Sequence, residues 1–562
     1  AAPKDPADLY TRMAYVRENH WKLTHLLNYN QTFYKHDIGM LLGFEEERFV
    51  KRTTDTAKLG LIDSSVGDPS SATTPSSIGG TGEEFTSRSY FGRINYAFDS
   101  RYLFEVNMRY DGSSRFAPDN RWGLFPSFSA GWRISEERFM KGLPIDNLKL
   151  RASWGKLGNN AIGNYEWQAV YNSAKYAFGG SLNNGLAITS ISNNLLEWES
   201  TAITNIGIDF ATLRNRLTFE AEFYNKVTDG ILYRPDMYMS LGTASGPRQN
   251  IAEVTNRGIE MTLNWQDRIG KVEYRVSGNF AYNQNKVSKY KGELQRGWVT
   301  DENGNRVYQT NIGDVSTGGS TRVIEGKMIN EYYMLQPYKG NGNGFNADGT
   351  VNINGGPRDG MIRTVDDMKW LNAMVGAGYK FYPRQNVSKS GIWYGDYIYA
   401  DLNGDGVYGN DADNEFQGCS NVPKYNFGLQ ASANWKGFDF SMNWSGAAGF
   451  KIYYYRLALN SSATIKGYAI GEAIANDHYF FDPKNPNDPR TNLSSKNPRL
   501  TNNSGNDQSG MTQSSVHLQK GDYIKLKNLT IGYTLPAVLS KKVYAQNIRF
   551  FASGENLFTI TG

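Results

Sequence analysis

Residues 102–110 read Tyr-Leu-Phe-Glu-Val-Asn-Met-Arg-Tyr. Tyr102, Phe104, Val106, Met108 and Tyr110 fall on one side of an extended chain, and Glu105, Asn107 and Arg109 on the other, with Leu103 the exception. A period of two is the pattern of a strand with one apolar and one polar face. The pattern recurs. Leu217, Phe219, Ala221 and Phe223 alternate with Thr218, Glu220, Glu222 and Tyr224, and Leu148, Leu150, Ala152 and Trp154 with Lys149, Arg151, Ser153 and Gly155. A soluble sandwich would bury the apolar face. Here charges crowd the polar face of strand after strand, more than a dry interior holds. Strands of roughly 9–11 residues, apolar outward and polar inward, predict a transmembrane antiparallel β-barrel.

The alternation predicts strands at about 21–30, 37–46, 87–98, 102–111, 125–134, 147–155, 202–210, 217–227, 258–266, 271–283, 425–435, 438–446, 523–534 and 547–558. Short connections (31–36, 99–101, 135–146, 211–216, 267–270, 436–437, 535–546) alternate with long ones (47–86, 112–124, 156–201, 228–257, 284–424, 447–522). Short turns at one end and long loops at the other are the barrel rhythm, with the long side extracellular. Segments 328–338 and 391–400 are also strand-like. They are read as part of a folded extracellular loop, which leaves 14 strands; the other reading, as membrane crossings, makes 16. The whole chain, 1–562, is then a transmembrane barrel portion carrying long extracellular loops.

Composition narrows the class. Hydrophobic residues make up 39% of the 562, mean hydropathy is -0.56, and no apolar run approaches the 18 residues of a membrane helix. The 36 Tyr and 12 Trp suit interfacial belts. A single cysteine, Cys419, rules out an internal disulfide. A net charge of +5 on 115 charged residues gives no case for nucleic acid. The start, Ala1-Ala-Pro-Lys4, has no signal-peptide pattern; it is expected to follow a removed leader or to begin within a longer protein.

Little in the chain points to covalent chemistry. The five histidines (His20, His25, His36, His478, His517) form no metalloprotease spacing and flank no nucleophile. Glu220 and Glu222, two apart on one polar face, are read as lumen lining beside Lys149, Arg151, Arg93 and Arg109 rather than as an acid/base pair, so no catalytic residue is assigned. The glycine run Gly340–Gly344 lacks the Lys-Ser/Thr of a phosphate loop, and Ser70–Ser77 is read as loop. Asp401, Asn403 and Asp405 followed by Gly406 have calcium-loop spacing, with the Val407 carbonyl as a further ligand. Position 12 is Ala412, so Asp411 or Asp413 would complete the set in a slipped loop; the competing reading is a metal-free Asx/Gly turn. Two aromatic groups, Tyr165, Trp167, Tyr171, Tyr176 and Phe178, and Trp393, Tyr394, Tyr397 and Tyr399, suit sugar rings or apolar peptide side chains. They equally suit a belt, a loop core or a partner surface.

Several segments resemble one family in order. They are Arg109–Phe116 (RYDGSSRF), Arg121–Ile134 (RWGLFPSFSAGWRI), Leu148–Gly158 (LKLRASWGKLG) with Asn159 and Asn160, and Glu197–Thr201 (EWEST). Phe223–Asn225, Thr255–Glu260 (TNRGIE), Asp401–Gly406 (DLNGDG), Tyr523–Pro536 (YIKLKNLTIGYTLP) and Asn556–Thr559 (NLFT) follow. Together they resemble the SusC/RagA-type TonB-linked outer-membrane transporters of Bacteroidetes. The resemblance implies a 22-stranded barrel with an N-terminal plug and TonB-contacting segment, of which this chain would be the C-terminal barrel portion without the plug. It implies active import of oligosaccharides or peptides, no enzyme activity and no required cofactor; the Ca2+ in an outer loop rests on the Asp401–Asp405 spacing and not on the resemblance. It also implies a SusD-like surface lipoprotein partner, TonB acting through the plug, and contact with outer-membrane lipid and lipopolysaccharide. The alternative is a barrel of this type serving as a structural subunit of a larger outer-membrane assembly or secretion complex.

Overall fold

The computed structural model describes residues 9–61, 65–234, 246, 248–454, 471–500 and 513–562. Parts of the expected connections 228–257 and 447–522 lie outside them. Among the described residues, 14 strands form one antiparallel sheet in chain order. They are β1 (Tyr10–Phe33), β2 (His36–Leu61), β3 (Ala72–Phe98), β4 (Tyr102–Ser113), β5 (Trp122–Arg133), β6 (Ile145–Asn159), β7 (Glu199–Thr212), β8 (Leu217–Tyr233), β9 (Gln249–Ile269), β10 (Val272–Lys289), β11 (Tyr425–Trp435), β12 (Phe438–Ala448), β13 (Tyr523–Thr534) and β14 (Arg549–Thr561). The chain divides into two compact units at Arg257/Gly258, inside β9.

In the first unit, register puts like with like. Glu105 pairs with Asn95 and Ser129, Ser129 with Ser153, and Ser153 with Asn205. On the other face Phe104 pairs with Ala130, Ala130 with Ala152, Ala152 with Ile206, and Ile206 with Phe223. Phe104, Met108, Tyr110, Ile206 and Phe223 are all exposed. A cavity of about 610 Å³ lies against the polar face, lined by Asn30, Asn95, Glu105, Lys149, Arg151 and Asn205 among others. The polar face is therefore the concave one, and the apolar face looks outward.

Rows of rings bound the outward apolar band. At the long-connection end His25, Phe44, Tyr90, Trp122 and Tyr110 form a chain of ring contacts at 4.8–6.3 Å. At the short-turn end Phe98 lies between His36 at 5.0 Å and Tyr102 at 6.3 Å. From Tyr102 to Tyr110 is roughly 27 Å along the strand at about 3.4 Å per residue, or about 20 Å along the membrane normal at a 35–45° tilt, somewhat short of the roughly 25 Å apolar band of an outer-membrane barrel. The short turns have the chemistry of their end. Asp99 and Ser100 both take φ of 52°, the left-handed pair of a tight hairpin whose twist matches the strands.

Two expectations are corrected. Connection 47–86 is mostly strand: β2 and β3 stay paired from His36↔Phe98 out to Leu61↔Ala72. There both faces are polar, so alternation no longer marks the strand although the ladder continues. The Ser70–Ser77 run accordingly enters β3. Connection 156–201 carries a hairpin, Val170–Phe178 with Ser181–Ser190. Segments 328–338 and 391–400 do not join the large sheet: the first holds only the short strand Glu331–Met334, and no strand is assigned in the second. The reading of 14 strands stands.

In the second unit, residues between β10 and β11 fold around their own core. Trp370, Leu371, Met374, Phe381, Ile398 and Tyr399 are almost fully buried. The helix Val365–Gly376 starts at a reciprocal cap: Thr364 Oγ1 accepts from the Asp367 N–H at 3.1 Å, and the Asp367 carboxylate accepts from the Thr364 N–H at 2.9 Å.

The two-faced wall predicts asymmetric tolerance. Val106→Arg, mid-band on the outward face, should cost about 2–4 kcal/mol, whereas Glu105→Arg, one residue away on the concave face, should cost under about 1 kcal/mol. Urea titration of protein folded into lipid vesicles measures both; equal costs would refute the assignment of faces.

Candidate functional site

The concave wall of the first unit carries connected ion pairs. Arg151 on β6 donates to Asp209 on β7 at 3.1 Å and also pairs with Glu222 on β8. Lys149 lies 3.4 Å from Asp209. Nearer β1, Lys22 pairs with Glu45 at 2.9 Å, and Arg109 holds Asp111 at 2.7 Å and Ser89 at 2.9 Å. Of the pair anticipated as lumen lining, Glu222 is engaged by Arg151, while Glu220 shares its face opposite Asp209. Register sets Lys149 directly opposite Asp209 across the neighbouring strands. Exposed pairs of this kind are worth about 0–1 kcal/mol each. Their effect is a hydrated lining in which neighbouring charges offset one another.

The loop unit of the second half is clasped by long-range contacts that sequence reasoning missed. Arg499 donates to both carboxylate oxygens of Asp396, at 2.8 and 2.9 Å, and the Asp396 side chain is 2% exposed. Arg363 donates to the carbonyls of Leu493 and Ser495, Tyr479 donates to the Arg363 carbonyl at 2.6 Å, and Tyr397 donates to the Lys496 carbonyl at 2.8 Å. Segment 479–499 is thereby fixed to 359–399. No local motif announces these partners, about a hundred residues apart. Tyr394, Tyr397 and Tyr399 are core residues of this unit, 1–8% exposed, which is the loop-core reading of this group. Tyr171, Tyr176 and Phe178 of the 170–190 hairpin are 56–67% exposed and remain available for contact.

The Asp/Asn loop is an intramolecular hydrogen-bond scaffold. Asp401 accepts from the N–H groups of Gly404, Asp405 and Gly406 at 2.7–3.2 Å. Asp405 accepts from the Val407 N–H and from the side-chain amides of Asn403 and Asn410. Asp413 is fully buried and accepts from Leu402, Asn403, Gly409 and Asn410. Asp411 opens the short turn that presents Asp413. Among the described residues, no group of three or more His, Cys, Asp or Glu side chains is arranged to hold a metal.

Burial pushes the Asp413 carboxyl up to about 6, against the lowering pull of its N–H donors, with Asp401 adding to the rise. The folded loop thus binds this proton more tightly than the unfolded chain does. The group's stabilising contribution is full below about pH 4 and is lost as pH rises through about 6. Protection of the 401–413 amides in hydrogen exchange, corrected for intrinsic rates, should therefore be greater at pH 4.5 than at pH 7.5. Asp413→Asn should lose that pH dependence and cost about 1–3 kcal/mol, since an amide cannot accept at both ends. Arg499→Ala, which strands the buried Asp396 charge, should cost about 3–5 kcal/mol and open 479–499 to limited proteolysis.

Comparison with known proteins places these features. TonB-dependent receptor P39 of Formosa agariphila is 29% identical over 554 residues, covering 95% of this chain and 48% of that protein. TonB-dependent receptor SusC of Bacteroides thetaiotaomicron is 28% identical over 485 residues, covering 84% of this chain and 40% of that protein. The chain thus spans about half the length, or less, of these curated relatives. In fold it matches the RagAB peptide transporter, with a TM-score of 0.72 over 98% of this chain and 52% of that one at 20% identity. The family described as TonB-dependent receptor-like β-barrel matches residues 4–557. With its apolar outward band and polar concave wall, the chain belongs to this family of outer-membrane receptors.

Proposed function

We propose that this chain forms the barrel wall and outer loops of a TonB-dependent importer that takes up oligosaccharides or peptides together with a SusD-like surface lipoprotein. The observation that carries the reading is the alignment with SusC over 84% of this chain on a fold matching RagAB over 98% of it. The charge-balanced concave wall suits polar cargo, and the clasped loop unit is a preformed surface of the kind a capping lipoprotein needs. Energy would be coupled through TonB and a plug of the kind the resemblance implies. The proposed role is transport: the wall binds and guides, and no bond of the cargo is broken.

For the loop at Asp401, Asn403, Asp405, Val407, Asp411 and Asp413, binding of a calcium-like cation is a separate proposal resting on spacing alone. Calorimetric titration with Ca2+ tests it. A stoichiometric heat that disappears in an Asp401→Asn/Asp405→Asn variant supports it; no heat leaves the loop a hydrogen-bonded turn.

The uptake reading is tested by disrupting the gene and following entry of labelled oligosaccharide and peptide pools, and by mild-detergent purification from native membranes. Loss of uptake of one pool, with a surface lipoprotein co-eluting stoichiometrically, is expected. Unchanged uptake of both pools, with a secretion or assembly complex co-eluting, would establish the structural-subunit alternative instead.

A further inference from the structure

The polar face of the second unit has a chemistry of its own. Register across β10–β13 aligns Ser277, Gln430, Asn443 and Asn528 in one row. The next row toward the short turns aligns Arg275, Ser432, Ser441, Thr530 and, on β14, Ser553. Asn264 on β9 joins the first row by accepting from the Ser277 hydroxyl at 2.5 Å. The opposite face carries the exposed Val276, Leu429, Phe440 and Ile531, so the rows look into the lumen of a barrel whose lipid side is apolar. From β11 to β13 these rows hold only amides and hydroxyls. Charges stand at their margins: Arg275, which donates to Gln266 at 2.9 Å, Glu555 opposite Asn528, Lys525 opposite Ser445, and Arg549 held by Asp439 at 2.9 Å. Asn528 accepts from Thr530 at 3.2 Å. Gln430, Ser432, Ser441 and Asn443 make no side-chain hydrogen bond among the described residues. The first unit's polar face differs, since Lys149, Asp209, Arg151 and Glu222 engage one another.

An unengaged amide or hydroxyl can both donate and accept. Side chains on one face of a sheet stand about 6.8 Å apart along a strand and about 4.8 Å apart across strands. The rows are therefore a lattice of neutral donors and acceptors. A chain of sugar rings presents neutral hydroxyls at every ring and matches such a lattice along its length. A peptide brings charged termini and apolar side chains. The rows offer it neither a fixed counter-charge nor an apolar recess, and an ion held without a partner is costly. A ring contact is also at hand. Phe551 on β14 stands on the polar face opposite the bare Gly532, 63% exposed, with the Arg549 guanidinium 5.0 Å from its centre.

We propose that Gln430, Ser432, Ser441, Asn443 and Asn528, with Phe551 beside them, form a lumenal binding surface for neutral oligosaccharides. The surface deepens the import reading above, on which it rests, by naming the cargo class as uncharged glycan rather than peptide. Successive rings exchange equivalent partners on the lattice, so a chain is held without being fixed in one register.

The test uses the full-length protein purified from its native outer membrane in neutral detergent. The variants are Gln430→Glu/Asn443→Asp, nearly isosteric but charged, and Asn443→Gln, which keeps the amide. Heat-resistant gel mobility checks that each barrel is folded. Neutral oligosaccharides, uronic or sulfated oligosaccharides, and peptides are offered as separate pools, and mass spectrometry reads what is retained. The wild type should retain the neutral pool, and the double variant should retain at least about fivefold less of it, as loss of two hydrogen bonds implies. Asn443→Gln should stay close to the wild type. Preference for charged glycans or peptides overturns the proposal, as does retention of no pool or equal retention by the double variant. A second reading locates the surface. Asn443→Cys should react with a small neutral maleimide, Cys419 being buried, and the neutral pool should slow that reaction. A rate that the pool leaves unchanged overturns the proposal; so does an introduced thiol that never reacts in a folded barrel, which would mean that protein covers the rows. Labelled uptake separates this surface from the import reading. Neutral glycans retained but not taken up leave the surface standing and count against import, while peptide uptake without glycan retention does the reverse.

Discussion

Hydrocarbon offers no hydrogen-bond partner, so every backbone N–H and C=O of a membrane wall must be satisfied by a neighbouring strand. That constraint organises the rest. It requires long antiparallel ladders with continuous register, and the ladder from β1 to β14 follows chain order without a crossover. Register in turn places every second residue on a common face. Phe104, Ala152 and Phe223 come to one surface and Glu105, Ser153 and Asn205 to the other, although they are far apart in sequence. Interruptions between neighbouring strands are therefore confined to the ends, where water can satisfy loops. The hairpin at 170–190 and the folded unit between β10 and β11 are inserted there.

The two faces are stabilised differently. Outward residues need only match lipid, which tolerates any apolar side chain and favours rings at its borders. The concave face must stay hydrated while carrying many charges. It manages this through opposite charges on adjacent strands, as in Lys149–Asp209–Arg151–Glu222. Such pairs add little to stability when hydrated, so their consequence is a lining without strong net attraction for one sign of charge. The Asp396–Arg499 clasp is of another kind. It is dry and doubly hydrogen-bonded, and it fixes the arrangement of two loops that share no strand.

The candidate site was legible to unequal degrees. The wall charges were readable, because alternation names the residues on a face and the face names their role. The Asp401 loop was readable as a tight Asx/Gly turn, but spacing could not say whether its carboxylates would turn toward an ion or toward their own N–H groups. In the structure they accept from N–H donors two to eleven residues away. The clasping arginines had no local signature. Arg363 and Arg499 sit in polar stretches like any surface arginine, and only folding shows which carbonyls and carboxylates they reach.

What the sequence by itself determined was the class of wall: the strands, their order, the orientation of each face and the class of solvent on either side. These follow from a local period of two and from the length of apolar band a bilayer demands. It determined strand ends poorly where both faces are wet. The extension of β2 and β3 past Glu46 and Arg88 is held by backbone pairing and cross-strand ion pairs that no local pattern records. Tertiary structure alone decided that Tyr397 and Tyr399 are core rather than surface and that Arg499 meets Asp396. Each depends on contacts between residues distant in the chain, whose register is set only when the whole ladder has formed.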